Sequence, residues 1–149
     1  MVTSLVSLGG SMRDAISAIM ERSRSIAQGL GTEAYLYEAP SSRNQVFPYL
    51  VMSPQTTHGP DVQTGGDVIE IIPSTANWYS LEADLAWDAL HTIEKEFTQH
   101  PPVMKAGKCF GVFIGSSLVQ PDPTTTEDGK DIWHGVLQIT FHVQRSLIH

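Results

Sequence analysis

One cysteine, few basic side chains and no long apolar run exclude several function classes before any motif is considered. The lone thiol, Cys109, cannot close an internal disulfide, and the paired spacings of zinc ribbons and redox dithiols are absent. No apolar stretch reaches the about 18 residues needed to span a bilayer. Met1 to Gly10 carries no positive n-region and too short an apolar run for a secretory leader, so the expected setting is the cytosol. Nine Lys and Arg against sixteen Asp and Glu leave a formal charge of -7. That balance disfavours clamping of nucleic acid, which needs clustered cations.

The 149 residues are of single-domain size and can bury a sizeable core unaided, so one domain is expected over 1–149. Residues 1–10 read as a flexible lead. Met12, Ile16, Ile19, Ile26 and Leu30 then recur at helical spacing, with Ser11 and Asp14 in a capping-box arrangement, which predicts a helix from Met12 to Gln28. Gly29 or Gly31 should end it. Ala34–Glu38 and Val46–Ser53 read as strands, the second holding Pro48, which belongs at an edge, bulge or strand start.

Residues 54–66 form a long polar loop, Val68–Ile72 a buried-type strand closed by Pro73, and Ser80–Phe97 a second helix. Projection of that helix places Ala86, Ala89, Leu90, Ile93 and Phe97 inside, and Asp84, Asp88, His91 and Lys95 outside. Lys108–Val119 and Ile132–Arg145 read as two strands of a long C-terminal hairpin around a flexible loop, residues 120–131. The fold class is α+β, a mainly antiparallel sheet flanked by two helices in the order α-β-β-β-α-β-β.

None of the chemical constellations withstands its bland alternative. Asp84, Asp88 and His91 share a helix face at metal-ligand spacing, but Lys95 one turn on repels a cation and a solvated face explains all four. His134 and His142 share a strand face yet lie about 26 Å apart, too far for one ion. Gly9-Gly10-Ser11 has neither the preceding strand nor the Gly-Lys-Ser/Thr of a phosphate loop. No Gly-x-Ser-x-Gly elbow occurs, and Cys109 has no activating context. The expectation is therefore a non-enzyme without cofactor or metal, acting through its surfaces.

The last strand carries the clearest alternation in the chain, Trp133, Gly135, Leu137, Ile139, Phe141 and Val143 against His134, Gln138, Thr140, His142 and Gln144. Fully extended it would reach roughly 45 Å, beyond the ~38 Å breadth of a domain of this length. Unless it bends, part of it overhangs and needs cover from another chain. Trp133, Leu137, Ile139 and Phe141, with Asp122, Glu127 and Asp128 at the hairpin tip, are therefore the candidate interface residues.

The element order, with Ala34-Tyr35-Leu36-Tyr37, Phe47-Pro48-Tyr49-Leu50-Val51 and the closing run Trp133 to Phe141, resembles the tail terminator or tail-completion proteins of long-tailed bacteriophages. The resemblance implies a homo-oligomeric ring, of six copies, at the head-proximal end of the tail. There it would end tube growth and meet the tail-tube protein on one side and the head connector or head-closure protein on the other. It further implies a virion location after assembly in the host cytoplasm, no membrane, and DNA passing the lumen without specific binding. The acidic balance suits such a channel. Two other classes share the same residues: a different phage neck or tail-tube protein, and a small α+β enzyme with a site assembled from dispersed His and Asp.

Overall fold

The computed structural model describes residues 2–41, 45–55, 62–64, 67–105 and 107–146, with backbone alone for 2–12, 62–64, 67–68 and 145–146. Its elements are α1 (Val2–Gly29), β1 (Ala34–Leu36), β2 (Tyr49–Pro54), β3 (Val62–Thr64), β4 (Asp67–Ser80), α2 (Ala83–Gln99), β5 (Gly107–Thr125) and β6 (Asp131–Ser146). This is the expected α+β fold, with two helices and a mixed, mostly antiparallel sheet. The short β3 is an addition, inside the 54–66 segment expected to be all loop. The rest of that segment's middle, 56–61 and 65–66, lies outside the described residues.

The strands follow the order β1-β2-β4-β6-β5, with β3 beside β4 off this path. The β1–β2 pair is parallel. The β2–β4, β4–β6 and β5–β6 pairs are antiparallel.

Sequence periodicity placed the inner face of α2 well and the helix ends less well, while of the α1 positions it named with described side chains only Ile19 and Ile26 are buried. All five residues projected inward on α2 are buried, and Asp84, Asp88, His91 and Lys95 are exposed. The helix begins at Ala83, because Ser80 still belongs to β4 and receives the Glu82 amide on its hydroxyl at 3.2 Å. At the other end of the chain, α1 starts at Val2 among the described residues and takes in both residues 2–10 of the expected lead and Ser11, which is therefore not an N-cap. Its C-terminus is the Schellman turn that the glycines suggested. Thr32 N donates to Ala27 O at 2.9 Å and Gly31 N to Gln28 O at 3.0 Å, with Gly31 at φ 77° where a side chain would be strained.

Pro73 does not close β4; the strand continues to Ser80. The physical reason is the side on which the missing N–H falls. Pro73 O accepts from Gln55 N at 2.8 Å, and in an antiparallel ladder a residue's N and O point the same way. The absent donor thus faces the ends of β2 and β3, where the ladder breaks, and the pairing of Pro73 with Thr140 of β6 loses nothing.

This extension removes the overhang expected of β6. Each residue from Trp133 to Ser146 has a partner in β4, Ser80 through Asp67. The apolar set of β6 is covered as well: Leu137, Ile139 and Phe141 are fully buried and Val143 nearly so, together with Leu50 and Met52 of β2 and Ile72, Ala76 and Trp78 of β4. Both helices lie on that one face, Phe97 meeting Phe141 edge-on at 5.3 Å between ring centroids. Leu137, Ile139 and Phe141 are core residues of this chain, and the assignment of them to an interface is corrected accordingly.

Candidate interaction surface

Among the described residues no helix lies over the second face of the sheet. Residues on it alternate with the core set: Ile71, Pro73, Thr75, Asn77 and Tyr79 along β4, and His134, Val136, Gln138, Thr140 and His142 along β6, all half-buried or exposed. Two aromatic groups stand on this face, one near each end.

The first group runs across β1, β2, β4 and β6. Tyr49 stacks on Tyr79 at 4.9 Å, Tyr79 stacks on His134 at 4.5 Å, and Tyr35 meets Tyr49 edge-on at 6.2 Å. Phe47 closes on Tyr49 at 5.4 Å. These rings bury Tyr49 almost completely, although it points away from the helices. Burial, reinforced by Tyr79, Asp122 and Tyr35, pushes the Tyr49 phenol up to about 12, so it remains protonated at any physiological pH. His134 shares a hydrogen bond between Nε2 and Asn77 Oδ1 at 2.8 Å. Burial holds its imidazole below the ordinary value, against the opposing charge of Asp122. The row is a packed strut, its ring faces taken up by one another.

The second group is open. His142 of β6 sits between Phe113, 4.4 Å from it, and Phe110, 6.0 Å away, with Ile71 opposite it on β4. Ile71 is 54 % exposed, Phe110 48 %, Phe113 55 % and, further along β5, Leu118 50 %. Gly111 makes the arrangement possible: a Cβ there would lie 2.7 Å from the Phe113 ring, so the ring can lie flat across β5 only over a glycine. Large half-exposed apolar side chains gathered on one face mark a contact surface.

The strand carrying this patch is also an edge of the sheet. β5 pairs with β6 on one side and has no partner on the other among the described residues. Register shifts at Cys109/Gly111, Ile114/Ser117 and Pro121/Thr125 break its outer rim into short stretches, and such bulges hinder indiscriminate strand addition. The contact surface is the face beside the edge more than the edge itself.

The hairpin tip is tighter than the expected flexible loop over 120–131. β5 runs to Thr125 and β6 starts at Asp131. Between them Gly129 N donates to Thr126 O and Thr126 N to Lys130 O, both at 2.9 Å. Thr126 Oγ1 donates to Asp128 at 2.5 Å, Asp122 accepts from the Thr124 hydroxyl, and Lys130 pairs with Asp128 at 3.7 Å. Local threonine hydroxyls thus fold the Thr-Thr-Thr run into an ordered turn. A cleft of about 670 Å³ separates the tip from Phe47, Leu81 and Ile132.

Of the residues singled out from sequence, Asp122, Glu127 and Asp128 gather at this tip, and Trp133 is half-buried beside it. Leu137, Ile139 and Phe141 point to the opposite face. Phe110, Phe113 and Ile71 escaped sequence reasoning because bulges break the alternation of β5 and because Ile71 sits in a run of apolar residues on both faces of β4. Gly111 and Gly115, inside an otherwise strand-like run, were the available signal for those bulges. Among the described residues no three His, Cys, Asp or Glu side chains lie close enough to hold a metal ion, and no helix is long and apolar enough to cross a membrane. Cys109 is half-buried, and burial raises its thiol pKa, the reverse of an activated nucleophile.

No protein-family model matches the chain, and no curated protein is significantly similar to it.

Proposed function

We propose that the chain is a structural assembly subunit, forming a closed ring at the head-proximal end of a phage tail that stops tube growth and joins the tail to the head connector. The observation that carries the assembly part is the uncovered sheet face with Phe110, Phe113, Leu118 and Ile71 half in water, which a lone subunit leaves unsatisfied. The tail role rests on the resemblance of Phe47-Pro48-Tyr49-Leu50-Val51 and of the Trp133 to Phe141 strand to tail terminators. The formal charge of -7 supports passage of DNA without adhesion.

Size-exclusion with light scattering and negative-stain imaging test it together. Closed rings of fixed copy number are expected. Open tubes would reassign the chain to tube subunits, and a monomer at micromolar concentration would remove the assembly reading.

A further inference from the structure

The open sheet face has a counterpart on the opposite side of the molecule. Ala86, Ala89, Leu90, Ile93 and Phe97 of α2 are spent on the core, so the rest of the helix surface looks away from the sheet. That surface carries Asp84, Asp88, Glu94 and Glu96 against Lys95. It also leaves Trp87 47 % and Leu85 54 % exposed, one on each shoulder of the helix. Trp87 has Asp84 and His91 as its neighbours at three and four residues.

Beside its apolar patch the open face carries the complementary charge in one described group. That group is Lys108, in register with Gln144. The carboxylates placed to act on that face lie at the far end, Asp122 beside Tyr79 and His134 and Glu33 accepting from the Tyr35 hydroxyl at 2.9 Å. Around Phe110, Phe113 and Ile71 no described side chain is acidic. A patch with half-exposed aromatics and a lysine on one layer thus matches an acidic surface with a half-exposed tryptophan on the other.

We propose that the open sheet face of one copy receives the Trp87 side of the outer face of α2 of a second copy, Phe110, Phe113 and Ile71 packing on Trp87 while Lys108 meets Asp84 and Asp88. The inference rests on the self-association proposed above and adds which two surfaces meet. Tryptophan set in a desolvated pocket is the commonest anchor of protein interfaces, and the charges around it fix register and partner more than affinity. The contact joins unlike surfaces, so each pair of copies still presents one of each, and addition continues until the rotation between copies closes a ring. Face-to-face pairing of two open sheets would instead set Lys108 of both copies around one apolar patch without a described carboxylate, and would leave Trp87 in water.

Unlike surfaces can be inactivated separately, which gives the test. One variant carries Phe113→Glu on the sheet face, and the other carries Trp87→Ser with Asp88→Lys on α2; circular dichroism and thermal melting first establish that each is folded. Phe110→Glu replaces the first variant if Phe113→Glu does not fold. Light scattering is expected to find each variant monomeric, and an equimolar mixture a 1:1 dimer and nothing larger, since the mixture contains one intact surface of each kind. A mixture that stays monomeric overturns the proposal. So does an α2 variant that keeps the parental oligomer while the sheet variant loses it, which is the signature of sheet-to-sheet pairing or of another contact for Phe113. Rings that persist in both variants sink this assignment of surfaces and leave the ring reading standing, whereas a monomeric parent protein removes both.

Discussion

The two faces of the sheet are built from the same three long strands and differ in what covers them. Along β4 and β6, Ile72, Ala76, Trp78, Leu137, Ile139 and Phe141 face the helices and are buried, while their immediate neighbours Ile71, Asn77, Tyr79, His134, Gln138 and His142 face outward. The covered face is apolar and closed by the two helices. The uncovered face protects itself only in part, through the ring row from Tyr35 to His134, and leaves Phe110 and Phe113 about half exposed on either side of His142. Apolar content alone therefore does not separate a core from a contact surface; the presence of a second layer does. A period-two pattern reports which residues share a side and is silent on which side is roofed.

The largest expected effect breaks the comparison most directly. Phe97→Ala, in the roof, removes a fully buried ring packed on Phe141 and should cost about 3–5 kcal/mol, lowering the thermal midpoint by many degrees. Phe113→Ala, of equal size change on the uncovered face, gives up one ring contact with His142 and should cost the isolated subunit only about 0.5–1.5 kcal/mol. Urea titrations of both variants under monomeric conditions make the measurement. Similar losses would mean that the second face is covered in solution and that the distinction between the faces is wrong.

Between these extremes lies the ring row. Tyr79 stacks on Tyr49 and on His134, and each aromatic pair contributes roughly 0.5–1.5 kcal/mol beyond its buried area, so Tyr79→Ala should cost about 1–3 kcal/mol. The same substitution at Tyr37, half-exposed and outside the row, should cost less. A loss at Tyr79 no larger than at Tyr37 would show that the row is a surface decoration with no part in stability.

What the sequence disclosed and what it hid divide along the same line. The buried stripe of α2 was legible residue by residue, because a helix face repeats every three to four positions and nothing interrupts it. The core set of β6 was equally legible as a set. Its role was not, since the case for an overhang depended on β4 ending at Pro73. A proline is a stop signal only if its missing N–H would have been used, and whether it is used depends on where β2 and β3 end, a tertiary fact. The open-face patch was hidden by the bulges of β5, which bring Phe110 and Phe113 together around His142 although a regular strand would turn residues three apart to opposite faces. The candidate interface thus came out on the wrong side of the right strand.

The smallest effect expected concerns protons, and its sign tells which of two forces governs the row. Burial between Tyr79 and the sheet disfavours the imidazolium of His134, whereas the Asp122 charge favours it, and burial is the larger influence, placing the folded-state pKa below the usual 6.5. The unfolded chain then binds more protons than the folded one in this range, so stability rises with pH. The contribution of neutral His134, hydrogen-bonded to Asn77, is complete above 6.5 and is lost progressively as pH falls through 6.5 toward the lower folded value. Urea midpoints measured between about pH 7.5 and about pH 5 should therefore fall more steeply for the parent protein than for His134→Gln, which has no proton to take up. Asp122→Asn should steepen the parent's decline, because it removes the charge that partly supports the imidazolium. A parent protein that instead gains stability on acidification relative to His134→Gln would mean that Asp122 outweighs burial, and that the hairpin tip grips the sheet by an ion pair more than by stacked rings.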